Sequence, residues 1–301
     1  MSDRAEALSL ARQPPWGGRR LRLWGVATLA ALVGFYLQTQ TPDWLPHTSL
    51  AFGTVLAVFF AAMACELVDS SLGMGYGTTL TPLLLLAGFE PLQIVPAVLL
   101  SELLTGLAAG LMHHWDGNVD LLGDRRARRT LGLLCALSAL GAVAAVWVAL
   151  SVSKFWLGVF ITAIVLAMGL VTLLTWRRQA RYRPGGIVAI GLVAAFNKAL
   201  SGGGYGPLVT AGQVVSGLPA RGAVAITSFA ESLTCAVGLA TYLAVGSRLD
   251  VDLVPPLVFG ALLSVPLATG LVRRMRETHL RLAVGALTCA LGVVSLAKLV
   301  G

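Results

Sequence analysis

Charge is what this sequence has least of. Only 12% of its 301 residues are charged, against roughly a quarter in an ordinary soluble domain, while 56% are hydrophobic and the mean hydropathy is +0.81. A soluble globular fold is excluded on that ground. The alternation that a transmembrane β-barrel requires is missing too, because Ala136 to Leu150 and Val165 to Thr175 are apolar on every face. Several uncharged runs instead reach the roughly 20 residues that cross a bilayer as helix. The expected fold is all-α, a polytopic helical membrane protein.

Cysteine and histidine are equally scarce. Cys65, Cys135, Cys235 and Cys289 lie in apolar segments with no neighbouring Cys or His, so they read as small buried hydrophobes, and no disulfide framework, metal or cofactor is expected. His47, His113, His114 and His279 fall at segment ends or in loops. A hydrolase built on Ser201 would therefore lack a base at its own depth, and an enzyme is not expected. No small-residue cleavage site follows Arg19-Arg20, which favours an uncleaved first helix with a cytoplasmic N-terminus.

The few charges that exist are mostly basic, giving a net charge of +8. They are clustered: five arginines precede residue 23, and further groups occupy Arg125 to Arg129, Arg177 to Arg183 and Arg273 to Arg281. Basic loops between apolar segments follow the positive-inside rule rather than forming a nucleic-acid face. The resulting organisation is a basic cytoplasmic tail (1–22), a first membrane helix with an outer loop (23–48), a first repeat (49–176), a basic cytoplasmic loop (177–185) and a second repeat (186–301). Apolar segments are expected at 49–68, 77–88, 92–112, 130–150 and 155–176, then at 186–200, 206–217, 219–245, 253–273 and 282–300.

The repeat appears when the chain is shifted by 129 positions. Gly73, Gly75, Tyr76 and Gly77 then fall on Gly202, Gly204, Tyr205 and Gly206, and Glu102, Leu104 and Thr105 fall on Glu231, Leu233 and Thr234. Thr81 falls on Thr210 and Gly88 on Gly217. If the Arg-rich loops are all cytoplasmic, the first repeat starts outside and the second inside, which makes this an inverted-topology repeat.

In each half a glycine-rich break precedes an apolar segment of about 12 residues, too short to cross the bilayer upright. Short, glycine-interrupted segments at matching positions point to a transporter binding site. A helix that begins mid-membrane presents unpaired N–H groups and the positive end of its dipole, so it suits an anion. The candidate substrate-binding residues are Ser70, Gly73, Gly75, Tyr76 and Gly77 in the first half. In the second they are Lys198, Ser201, Gly202, Gly204, Tyr205 and Gly206. Kinked helices packed through small residues are the structural alternative. Neither break is a dinucleotide or Walker loop, since no strand precedes it and no Gly-Lys-Ser/Thr follows.

Glu102 and Glu231 fall near the middle of their segments. Two readings stand for them: proton coupling, or acceptance of hydrogen bonds from the unpaired N–H groups of the breaks. Asp69, equivalent to Lys198 under the shift, is a candidate ion partner for it. Glu66, opposite Ala195, reads as a local contact.

The Gly73-Met74-Gly75-Tyr76-Gly77 run, the second run from Ser201 to Pro207 and the Glu-x-Leu-Thr of each half resemble the TauE/SafE sulfite exporter family from about residue 49 onward. The resemblance implies a bacterial or archaeal inner-membrane permease that exports sulfite or an organosulfonate. The residues alone imply a small-anion carrier in the lipid bilayer. An importer of an organosulfonate or carboxylate and an anion channel stand as alternatives.

Overall fold

The computed structural model describes residues 18–40, 50–149, 154–174, 184–201, 205–244, 246 and 248–300. Regular structure among them is entirely helical: α1 (Gly18–Gln40), α2 (Phe52–Leu72), α3 (Tyr76–Leu86), α4 (Pro91–Trp115), α5 (Arg125–Ala149), α6 (Lys154–Leu174), α7 (Pro184–Ser201), α8 (Tyr205–Val215), α9 (Ala220–Ala244), α10 (Val254–Arg274) and α11 (Glu277–Val300). Among the described residues, five stretches are long and apolar enough to cross a membrane: Phe52–Leu72, Gln93–Trp115, Ala220–Ala244, Val254–Arg274 and Glu277–Val294. Helices α3 and α8, at 11 residues each, reach about 16 Å and cannot.

Local chemistry sets the boundaries. Gly73 closes α2 in the left-handed region (φ 73°), its N–H donating to Asp69 O, and Gly75 (φ 129°) turns the chain into α3. Both conformations are strained for any residue with a Cβ. Helix α4 opens with a Glu90/Gln93 capping box and Pro91 in its first turn. Two helices begin earlier than the hydropathy implies. Asp124 Oδ1 accepts the Arg126 N–H at 2.8 Å, so the Arg125 to Arg129 cluster forms the first turns of α5 instead of a loop. Helix α11 begins at Glu277, so Arg281 is a helical residue and is buried.

The 129-residue shift is reproduced by the elements. Helices α3, α4 and α5 begin at 76, 91 and 125, and α8, α9 and α10 at 205, 220 and 254. Two apolar cores follow the same rule. One gathers α2, α3, α4 and α10 around Ala62, Tyr76, Leu80, Ala97 and Leu257. The other gathers their counterparts α7, α8, α9 and α5 around Ala194, Tyr205, Val209, Ile226 and Leu134. Each half thus lends one helix to the core of the other.

Between the cores, α4 and α9 cross through small residues. A Cβ on Gly238 would lie 3.3 Å from Leu99, one on Gly106 would lie 2.9 Å from Ser232 Cβ, and one on Gly110 would lie 2.5 Å from the Phe229 ring. Partner numbers fall along α9 as they rise along α4, so these equivalent helices are antiparallel. Helices α6 and α11 behave alike: Gly285 abuts Leu173 and Gly292 abuts Leu166. Close approach through glycine suits association in lipid, where packing has to replace the hydrophobic effect.

Candidate functional site

The start of α8 meets the first break inside the bundle. A Cβ on Gly206 would lie 2.4 Å from Gly73 O and 2.8 Å from Met74 Cα, so the start of α8 rests directly on the main chain of the first break. Thr210 Oγ1 donates to Gly73 O at 2.9 Å, and Thr210 and Gln213 both bond Thr227 on α9. Thr288 on α11 approaches the Met74 sulfur at 3.4 Å. Tyr76 and Tyr205 are both fully buried.

At the first break the donors expected to face an anion are engaged by the protein. The Tyr76 N–H donates to Asp69 Oδ1 and the Gly77 N–H to Glu102 Oε1, each at 3.1 Å. The positive end of α3 is thus covered by two carboxylates, an arrangement that the helix dipole favours. The Tyr76 hydroxyl pairs with Ser101 Oγ at 2.7 Å, and the Ser70 hydroxyl donates to Glu66 Oε1. An oxyanion at this break has to compete with Asp69 and Glu102 for the same amides.

Glu66 is more than a local contact. Besides Ser70 it accepts from Thr105 Oγ1 on α4, and it is only 2% exposed. Cys235 is likewise more than a small hydrophobe, since its Sγ donates to Glu102 Oε2 at 3.2 Å and so links the two central helices. His113, placed at a segment end by the sequence, is fully buried: its Nε2 donates to Ser70 O and its Nδ1 accepts from Asn118 Nδ2, both at 2.9 Å. Asn118 in turn donates to Thr269 O. In the exposed turn beyond, the Gly123 and Leu122 N–H groups hold the Asp120 carboxyl below the usual range.

Several expected residues lie outside the description. Gly202, Gly203 and Gly204 are among them, as are the side chains of Lys198 and Ser201. Glu231 is buried on α9 at the position equivalent to Glu102. All four cysteines are free thiols.

Broken helices meeting inside an apolar, all-helical bundle are the architecture of a polytopic membrane transporter. The chain belongs to the sulfite exporter TauE/SafE family, whose model matches residues 58–295. It is similar to the probable membrane transporter protein YtnM of Bacillus subtilis (strain 168), with 29% identity over 249 residues, 76% of this chain and 79% of that protein. No solved structure matches the chain.

Proposed function

We infer that the protein is a permease that exports a small oxyanion, sulfite or an organosulfonate, across the cell's inner membrane. The observation that carries this reading is the contact between the two breaks, Gly206 on Gly73 and Met74. It puts interrupted main chain from both halves at one point inside an apolar bundle, where polar backbone is stable only beside protein or a polar cavity. The antiparallel packing of α4 on α9 and of α6 on α11 supports two halves of opposite orientation, 49–176 and 186–301, joined by the basic segment 177–185. The substrate class rests on the family and on helix N-termini as anion sites.

The acids at the first break give this reading a mechanism. Glu102 and the oxyanion compete for the Gly77 N–H; a proton on Glu102 removes the competing charge, and the anion takes the donor. Cargo and proton are then coupled at one atom. Gly202 and Gly204, with Ser201 and Lys198, complete the proposed cradle from the second half.

Vesicles containing the purified protein should take up or release sulfite and sulfoacetate with saturation and counterflow, faster than sulfate or acetate, and with a rate that responds to a pH gradient. Flux that does not saturate would mean a channel, and equal rates for acetate would remove the sulfur-oxyanion preference. Orientation has its own test in cells. A cysteine at Arg248 should react with an impermeant maleimide from outside, while cysteines at Arg126 and Arg274 should react only after permeabilisation. Labelling of Arg126→Cys in intact cells would overturn the inverted arrangement.

A further inference from the structure

Among the described residues, six buried side-chain polar atoms have no hydrogen-bond partner: Ser71 Oγ, Asn118 Oδ1, Gln213 Oε1, Arg221 Nε, and both Nε and Nη2 of Arg281. Their distribution is one-sided. Ser71 ends α2, Asn118 follows α4, Gln213 lies in the last turn of α8, Arg221 opens α9 and Arg281 lies near the start of α11. Because α2 and α4 run in parallel and α9 runs against them, Asn118, Gln213, Arg221 and Arg281 sit at the end of the bundle that carries the Arg125 and Arg273 clusters, and Ser71 lies just before the first break. Ser71, Gln213, Arg221 and Arg281 are sequence neighbours of members of one small core, Leu72, Val214, Ala220 and Leu280. Buried polar groups are normally paired, so an unpaired, buried guanidinium edge calls for a polar occupant.

Arg281 gives that occupant a chemistry. It is only 3% exposed. Its Nε–H and one Nη2–H lie along the same edge of the guanidinium and point in parallel, the geometry that grips two oxygens of a carboxylate, sulfonate or sulfite. Glu277, one turn back on α11, is the acidic group that acts on Arg281, but its Oε1 accepts the Ala220 N–H at 2.6 Å. Arg221, at the start of α9, adds a second cation at this end of the bundle, with Nη2 bonded to Met275 O and Nε unpaired. The same face of α11 leads from Arg281 to the breaks. Val284 shares a core with Met74 and Ala211, and Thr288, about 10 Å further along the helix, reaches the Met74 sulfur.

We propose that Arg281 is an oxyanion-binding residue at the arginine-bearing mouth of the permease, holding two oxygens of the cargo before it reaches the glycine breaks. This rests on the reading of the protein as an oxyanion permease. The shared chemistry, two anionic oxygens on one centre, also belongs to a lipid phosphate, and the experiment separates the two sources.

Wild-type protein and the R281K, R281Q and E277Q variants are reconstituted in vesicles of neutral lipid, with and without phosphatidylglycerol, and sulfite flux is measured from each face. From the arginine-bearing face, half-saturation should rise at least about tenfold in R281Q and R281K, the loss expected when a charge-assisted pair of bonds is removed. From the opposite face it should stay within about twofold of wild type on the same scale. E277Q should shift it in the opposite direction or leave it unchanged, because a carboxylate that attracts the guanidinium away from the anion is gone. Unchanged half-saturation in R281Q overturns the proposal. So does an upward shift shared by R281Q and E277Q, which makes Arg281 only the ion partner of Glu277, or an effect of R281Q seen only with phosphatidylglycerol, which makes it a lipid contact. If wild type moves no oxyanion, the permease reading fails. Arg281 is then judged by phenylglyoxal modification of the detergent-solubilised protein: protection by sulfite keeps the anion site, and equal modification with and without sulfite removes it.

Discussion

Gly206→Ala is expected to reduce oxyanion flux by about 100-fold, the scale on which a displacement of about 1 Å acts at an aligned site. The added Cβ would stand 2.4 Å from Gly73 O and 2.8 Å from Met74 Cα. Both neighbours are main chain, so no rotamer change relieves the overlap, and one break has to move away from the other. Such overpacking costs about 1–3 kcal/mol of stability, which a large bundle tolerates, so the variant should still insert and purify as a single species. Gly222→Ala is the matched control. It lies in the first turn of α9 with only Val119 Cγ2 nearby, at 3.8 Å, and the change removes a poor helix former; flux should stay near wild type. Thr210→Val removes the hydroxyl that donates to Gly73 O without adding bulk, and its loss should fall between the two. Wild-type flux through folded Gly206→Ala would show that the contact between the breaks is packing alone.

The repeat made much of this arrangement readable before any coordinates. The spacing of 25 residues from Gly77 to Glu102, recurring from Gly206 to Glu231, is the length of chain needed to run out along α3 and back along α4 to the same depth, and in the first half it closes as a hydrogen bond. Tyr76 and Ser101 close over the same interval. The shift exposes a spacing that recurs in both halves, and in the first half that spacing corresponds to a contact between the start of one helix and the middle of its neighbour. Glu66 with Thr105, His113 with Ser70 and Cys235 with Glu102 join elements 39, 43 and 133 residues apart. Their polar partners have no repeated spacing to mark them. Arg281 was hidden for a different reason. An arginine close to an apolar segment is ordinarily a solvated loop residue, and only the Glu277 start of α11 turns it inward. The sequence also reads the N–H groups of α3 as awaiting an anion, when acids supplied by α2 and α4 already cover them.

That cover leads to the second large effect. Glu102→Gln is expected to abolish the dependence of flux on a pH gradient while leaving exchange of labelled for unlabelled sulfite close to wild type. The amide oxygen can still accept the Gly77 N–H, so α3 stays tied to α4, but the side chain can no longer take up and release a proton. The groups around it are Glu66 from α2, Gly77 and Tyr76 from α3, and Cys235 from α9. Glu102 Oε1 accepts the Gly77 N–H at the positive end of α3. Cargo arriving at the break competes with Glu102 for that one amide, which is where the proposed coupling acts. Glu231→Gln reports on the equivalent position in the other half and should retain gradient dependence if coupling runs through the first break. Should gradient dependence instead survive in both single variants and in the double variant, the carboxylates serve only to satisfy the N–H groups at the breaks, and the driving force for export lies in the anion gradient and the membrane potential.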